Sequence, residues 1–93
     1  MILIVYSGPK PQRVSELLDE HAVGYTEFSN AHGSGTTGRR EGSRAWPGTS
    51  WIFFSVLEER EAAALHGELR ACALELPREE RLHAAMLPAD TYF

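Results

Sequence analysis

Ninety-three residues, 43% hydrophobic and 24% charged, fit one small globular domain, 1–93, and count against the repeated βαβ units of a larger nucleotide-binding enzyme. A formal net charge of −4 argues against a broad electrostatic grip on nucleic acid or an anionic membrane. Cys72 is the sole cysteine, which excludes an intrachain disulfide framework and suits a reducing, cytoplasmic setting.

The chain opens with MILIVYS, a continuous apolar run rich in β-branched residues. Ser7, Gly8 and Pro9 end it, as expected of a buried strand, and it is too short to span a membrane. From Pro9 or Pro11 the period changes. Val14, Leu17, Leu18, His21 and Ala22 recur at helical spacing, with Arg13, Glu16, Asp19 and Glu20 mostly on the other face, and Gly24 is placed to cap the helix. YTEFSNA then favours a second strand. It leads into a polar, glycine-rich loop, about 32–48, that closes near Pro47 and Gly48.

SWIFFSVL reads as a third strand, joined to the second as a long-looped hairpin. Glu58 to Leu76 is rich in alanine, leucine and glutamate. Its apolar face of Leu65, Leu69, Cys72, Ala73 and Leu76 predicts a second helix, ended by Pro77. HAAMLPAD supplies a last strand, with Pro88 suited to its end. The order βαββαβ predicts an α+β, ferredoxin-like domain: a four-stranded antiparallel sheet with two helices on one face. Strands one and three are apolar on successive residues, so both faces of the sheet call for burial. Two helices cover one of them, and a second subunit is expected on the other.

GSGTTGRR, residues 33 to 40, carries the main functional signal. Gly33, Gly35 and Gly38 satisfy G-x-G-x-x-G, and Gly38-Arg39 resembles the end of a Walker loop. Both motifs require a helix to begin at once, aiming its free N–H groups at phosphate. The residues that follow have no helical period, and the next apolar segment is a strand, so neither motif applies. What remains is a hairpin loop in which glycines permit backbone N–H groups to converge. Ser34, Thr36 and Thr37 add hydroxyls, and Arg39 and Arg40 add guanidiniums, a set suited to phosphate or carboxylate. The alternative is a solvated loop whose arginines keep it soluble. Arg39, Arg40 and Arg44 fall within one short span, so positive charge concentrates there.

Four segments resemble the PII signalling family and its PII-like relatives, in order and over nearly the whole chain: MILIVYSGPKPQRVSELLDEHAVGYT, HGSGTTG, SWIFFSVLEEREAAAL and HAAMLPAD. HGSGTTG stands where that family has a G-x-G-x-x-x-G stretch at the root of its T-loop. The resemblance implies a homotrimer with its sheets facing inward and ligand binding in the clefts between subunits. It places Gly33, Ser34, Gly35, Thr36 and Thr37 against an adenine nucleotide, with Arg39 and Arg40 beside them. Gly38, Arg44 and Trp46 would then belong to the mobile, partner-contacting loop.

Three departures point to a divergent member. The loop is shorter and lacks the tyrosine that some PII proteins carry there. LPREERL replaces a glycine-rich segment, leaving Arg78 and Arg81 as phosphate partners, and the family's basic C-terminal tail has no counterpart. AMP, ADP or another small anion fits this better than the usual pairing of ATP with 2-oxoglutarate. The implied function is non-catalytic regulation of a protein target, such as a transporter or enzyme, with no required cofactor, no nucleic acid and no membrane insertion.

The histidines offer a second reading. His21 lies on the apolar side of the first helix and suits a partly buried position. His66 and Cys72, six residues apart, are separated by roughly 600° of helical rotation and face different ways. His83 stands at the start of the last strand near Glu79 and Glu80. His32 opens the glycine loop, and symmetry in a trimer could bring copies of it together, or set it against Arg78 or His83 of a neighbour. That would make a metal-responsive protein of the CutA type, which has the same fold and trimer. No catalytic triad, H-E-x-x-H or buried carboxylate pair is present, so a small ferredoxin-like enzyme ranks third.

Overall fold

The computed structural model describes residues 1–21, 24–32, 34, 35, 38, 39 and 50–91. Its elements run β1 (Ile2–Ser7), α1 (Gln12–Glu20), β2 (Thr26–Ala31), β3 (Ser34–Gly35), β4 (Gly38–Arg39), β5 (Ser50–Ser55), α2 (Glu59–Leu74) and β6 (Arg81–Met86). The four long strands form an antiparallel sheet in the order β2-β5-β1-β6. This is the expected ferredoxin-like arrangement, with the most apolar strands, β1 and β5, at its centre.

Alternation along β1 sends Ile2, Ile4 and Tyr6 toward the helices, where all three are fully buried. They pack with Phe53 of β5, Leu82 of β6, Val14 and Leu18 of α1, and Leu65 and Leu69 of α2. Trp51 and Tyr25 border this core, with Trp51 6.2 Å from the Tyr6 ring and Tyr25 6.0 Å from Phe53. Pro11 caps the start of α1 at φ −62°, the value its ring imposes, and its carbonyl accepts from the Val14 N–H at 3.0 Å. α2 carries Glu59 and Glu61 in its first turn, favourable to the helix dipole.

The opposite face of the sheet has no helix over it. Cross-strand register sets Leu3 opposite Phe54 and Ala85, and Val5 opposite Ile52 and His83. Phe28 lies opposite Ile52 and stacks on Phe54 with ring centroids 6.0 Å apart, while remaining 53% exposed. The double-sided apolar character of the central strands is therefore real, and one side of it is open in the single chain.

Several boundaries differ from the sequence reading. α1 ends at Glu20, where the His21 N–H reaches the Leu17 carbonyl at 3.2 Å. Gly24 does not cap it: its carbonyl accepts from the Ser55 hydroxyl at 2.5 Å, and Ala22 lies outside the described residues. α2 stops at Leu74, before Pro77, which instead opens a turn closed by the Glu80 N–H on its carbonyl at 3.0 Å. β6 starts two residues earlier than expected, because Leu82, opposite Tyr6, completes the helix-facing core. The strand ends at Met86, short of Pro88, and His83 lies within it rather than at its start. Finally, the glycine loop contains β3 and β4, where no strand was expected.

Candidate functional site

β1, β5 and β6 bring Ser7, Ser50 and Arg81 to the end of the sheet from which the loop departs, with Ala31 of β2 opposite Ser50. The hydroxyls of Ser7 and Ser50 lie 2.5 Å apart, tying the loop's returning stem to the central strand. At the outgoing stem, β2 contains a bulge between Phe28 and Ala31, with Asn30 at φ 58°. Asparagine tolerates this left-handed backbone better than most residues, and a bulge re-aims the chain where pairing ends.

Beyond His32, which is exposed, Ser34 pairs with Arg39 and Gly35 with Gly38 as a small antiparallel ladder. The glycine motif thus carries a two-stranded antiparallel ladder and, among the described residues, starts no helix. The structure brings Ser34, Gly35, Gly38 and Arg39 of the expected site onto this ladder. Gly33, Thr36, Thr37, Arg40, Arg44 and Trp46 lie outside the described residues.

A buried polar network sits at the same end. The Tyr6 hydroxyl donates to Glu80 Oε1 at 2.6 Å and accepts from the Lys10 backbone N–H at 3.0 Å. Glu80 is 6% exposed, and Arg13 Nη2 stands 3.8 Å from its Oε2. Burial, and then the bond to Glu80, push the Tyr6 phenol up to about 12. Gly8, at φ 157°, lies against this pair: a Cβ there would meet the Tyr6 hydroxyl, Tyr6 Cζ at 2.8 Å and Glu80 Cγ at 2.9 Å. Arg81 donates to the carbonyls of Arg78 and Glu80 at 2.6 and 3.0 Å, which braces the turn that delivers Glu80. Lys10, Arg13, Arg78 and Arg81 thus share the end of the sheet that bears the glycine hairpin.

Sequence reasoning missed both the Tyr6–Glu80 pair and the Asn30 bulge. Tyr6 is a polar-tipped ring at the end of an apolar run, which is a usable signal. Nothing local separates Glu80 from Glu79. The histidines stay apart: His21 Nε2 contacts Glu68 Oε2 at 2.5 Å, and His66 Nε2 bonds the Ala84 carbonyl at 3.1 Å. Cys72 is partly buried and packs against the core. Among the described residues no group of three His, Cys, Asp or Glu side chains is placed to hold a metal ion. No described helix is long and apolar enough to cross a membrane.

No known family profile and no curated protein matches this chain. Solved structures do match it. CPII, a nitrogen regulatory PII-like protein from Thiomonas intermedia K12 bound to ADP, AMP and bicarbonate, superposes with a TM-score of 0.64 at 18% identity, covering 90% of this chain and 82% of that one. CPII bound to ADP and bicarbonate gives 0.62 at 22% identity, with the same coverage. A protein from Thermus thermophilus assigned to PII-like signalling gives 0.60 at 20% identity, covering 90% and 80%. Identity at this level speaks to architecture, and the chain has the ferredoxin-like fold of the PII-like proteins.

Proposed function

We propose that this chain is a divergent, non-catalytic PII-like regulator. It binds an adenine nucleotide, AMP or ADP before ATP, in clefts between the subunits of a homotrimer. It acts on a protein target through loop 32–48. The observation that carries the reading is the pairing of Ser34 with Arg39 and of Gly35 with Gly38, a glycine hairpin at the basic end of a sheet whose structural neighbour is bound to ADP and AMP. Such a hairpin offers backbone N–H groups to phosphate without a helix. Arg39 and Arg40 supply charge, and Arg78 and Arg81 stand at the same end of the sheet for a neighbouring subunit's ligand. The open face of Leu3, Val5, Ile52 and Phe54 supports burial against other copies of the chain.

The test is thermal stabilisation by AMP, ADP and ATP, with and without bicarbonate, in the wild type and in the Arg39→Ala, Arg40→Ala double variant. A ligand present at a hundred times its Kd raises stability by about 2.7 kcal/mol. The expected result is a clear rise with AMP or ADP that the double variant loses; no rise with any nucleotide ends this reading. The same titration with divalent metal ions, repeated on His32→Ala, decides for the metal-responsive alternative if metal alone stabilises the wild type.

A further inference from the structure

Between α2 and the edge strand β6 lies a cavity of about 220 Å³, lined by His66, Arg70 and His83 over an apolar floor that includes Leu69, Leu82 and Ala84. It contains no carboxylate. In a chain of net charge −4, a concave site that carries an arginine and a histidine side chain and no acidic one favours negative charge. Arg70 forms no ion pair among the described residues. Its fork of N–H donors is therefore open to a planar carboxylate. His66 is held in place by its bond to the Ala84 carbonyl at 3.1 Å, while His83, paired with Val5 on the other face of the sheet, borders the cavity at the strand edge. Leu69 and Leu82, 1% and 7% exposed, give the floor its apolar character.

We infer that this cavity binds a small carboxylate with an apolar body. The headgroup meets Arg70 beside His66, and the hydrocarbon lies on the floor. The volume is below the roughly 300–1,000 Å³ of drug-sized sites, so the ligand is of benzoate or butyrate size. Inorganic phosphate satisfies the rim and leaves the floor empty. The site is separate from the glycine hairpin and does not depend on nucleotide binding.

Titration of isotopically labelled protein with sodium benzoate and sodium butyrate, followed by amide NMR, tests the proposal. Saturable shifts are expected at Leu69, Ala73, Leu82 and Ala84, with apparent affinity falling about tenfold or more in Arg70→Ala, the loss of one charge-assisted hydrogen bond or more. Arg70 is exposed, so that variant should fold, and Arg70→Lys should retain part of the affinity. The Arg39→Ala, Arg40→Ala variant is expected to bind benzoate unchanged, which separates this site from the nucleotide reading. Non-saturating shifts, or affinity unaltered in Arg70→Ala, would overturn the proposal. So would phosphate binding as tightly as benzoate. A response of the same amides to zinc ion alone, lost in His66→Ala, would replace it with a metal site.

Discussion

Tyr6 donates a 2.6 Å hydrogen bond to Glu80, joining the end of the first strand to the turn before the last one. Among the described residues, Tyr6→Phe leaves the 6%-exposed Glu80 carboxylate with only the more distant Arg13. A hydrogen bond to a charged group contributes about 2 kcal/mol, which in a chain of this size lowers Tm by roughly 10 °C. Coincident melting curves for wild type and Tyr6→Phe would refute the assignment.

The same bond sets a pH dependence. Tyr6 is pushed up to about 12 in the folded protein, against about 10 when unfolded. The folded state therefore holds the phenolic proton more tightly, and the stabilisation is fully present below about pH 10. It is lost as pH rises toward about 12, because over that interval the unfolded chain binds fewer protons. Denaturant titrations across this interval should show a steeper alkaline decline for wild type than for Tyr6→Phe. Parallel declines would mean that another group dominates.

Gly8→Ala introduces a Cβ against the Tyr6 phenol and the Glu80 stem, at a φ that L side chains rarely adopt. Overpacking alone costs about 1–3 kcal/mol, and the backbone adds to it. Chemical denaturation should therefore place Gly8→Ala about 2 kcal/mol or more below wild type. Equal denaturation midpoints would show that the phenol and the Glu80 stem move aside freely.

Asn30, at φ 58°, should accept glycine with little change, whereas Asn30→Val should lose about 1–2 kcal/mol through left-handed strain. If the two variants unfold at the same denaturant concentration, the bulge does not hold this conformation in solution.

Ile52→Glu places a charge on the open sheet face between Val5 and Phe28. A half-buried position in the single chain tolerates it, so helical content should persist by circular dichroism. Light scattering should show the wild type as the proposed trimer and this variant as a monomer. An unchanged mass would exclude that face as the subunit interface.

The core was legible because its signals are periodic. Val14 and Leu18 recur at helical spacing, and the unbroken apolar run through Ile4 marked a strand apolar on both faces. Elimination showed that the glycine motif opens no helix, since nothing after Gly38 could start one, but the β3–β4 ladder inside the loop was not legible. Tyr6 and Glu80 are 74 residues apart, and only the pairing of β1 with β6 brings them together. The Asn30 bulge depends likewise on how β2 registers with β5, which no local preference encodes. Gly24 and Pro77 are strong helix terminators in isolation, yet α1 and α2 end before reaching them. In the fold they serve a hydroxyl contact and a turn.

The extra residue in β2 also acts as a phase shift. Before it, even-numbered positions such as Phe28 share a face with Ile52; after it, odd-numbered Ala31 takes that role opposite Ser50. The extra residue is therefore absorbed before the stems part, and Ala31 and Ser50 leave the sheet in register. Removing Asn30 would leave Ala31 two positions after Phe28 and still on that face, so the extra residue costs the strand no register and instead supplies the left-handed bend, at φ 58°, with which the chain heads into the loop.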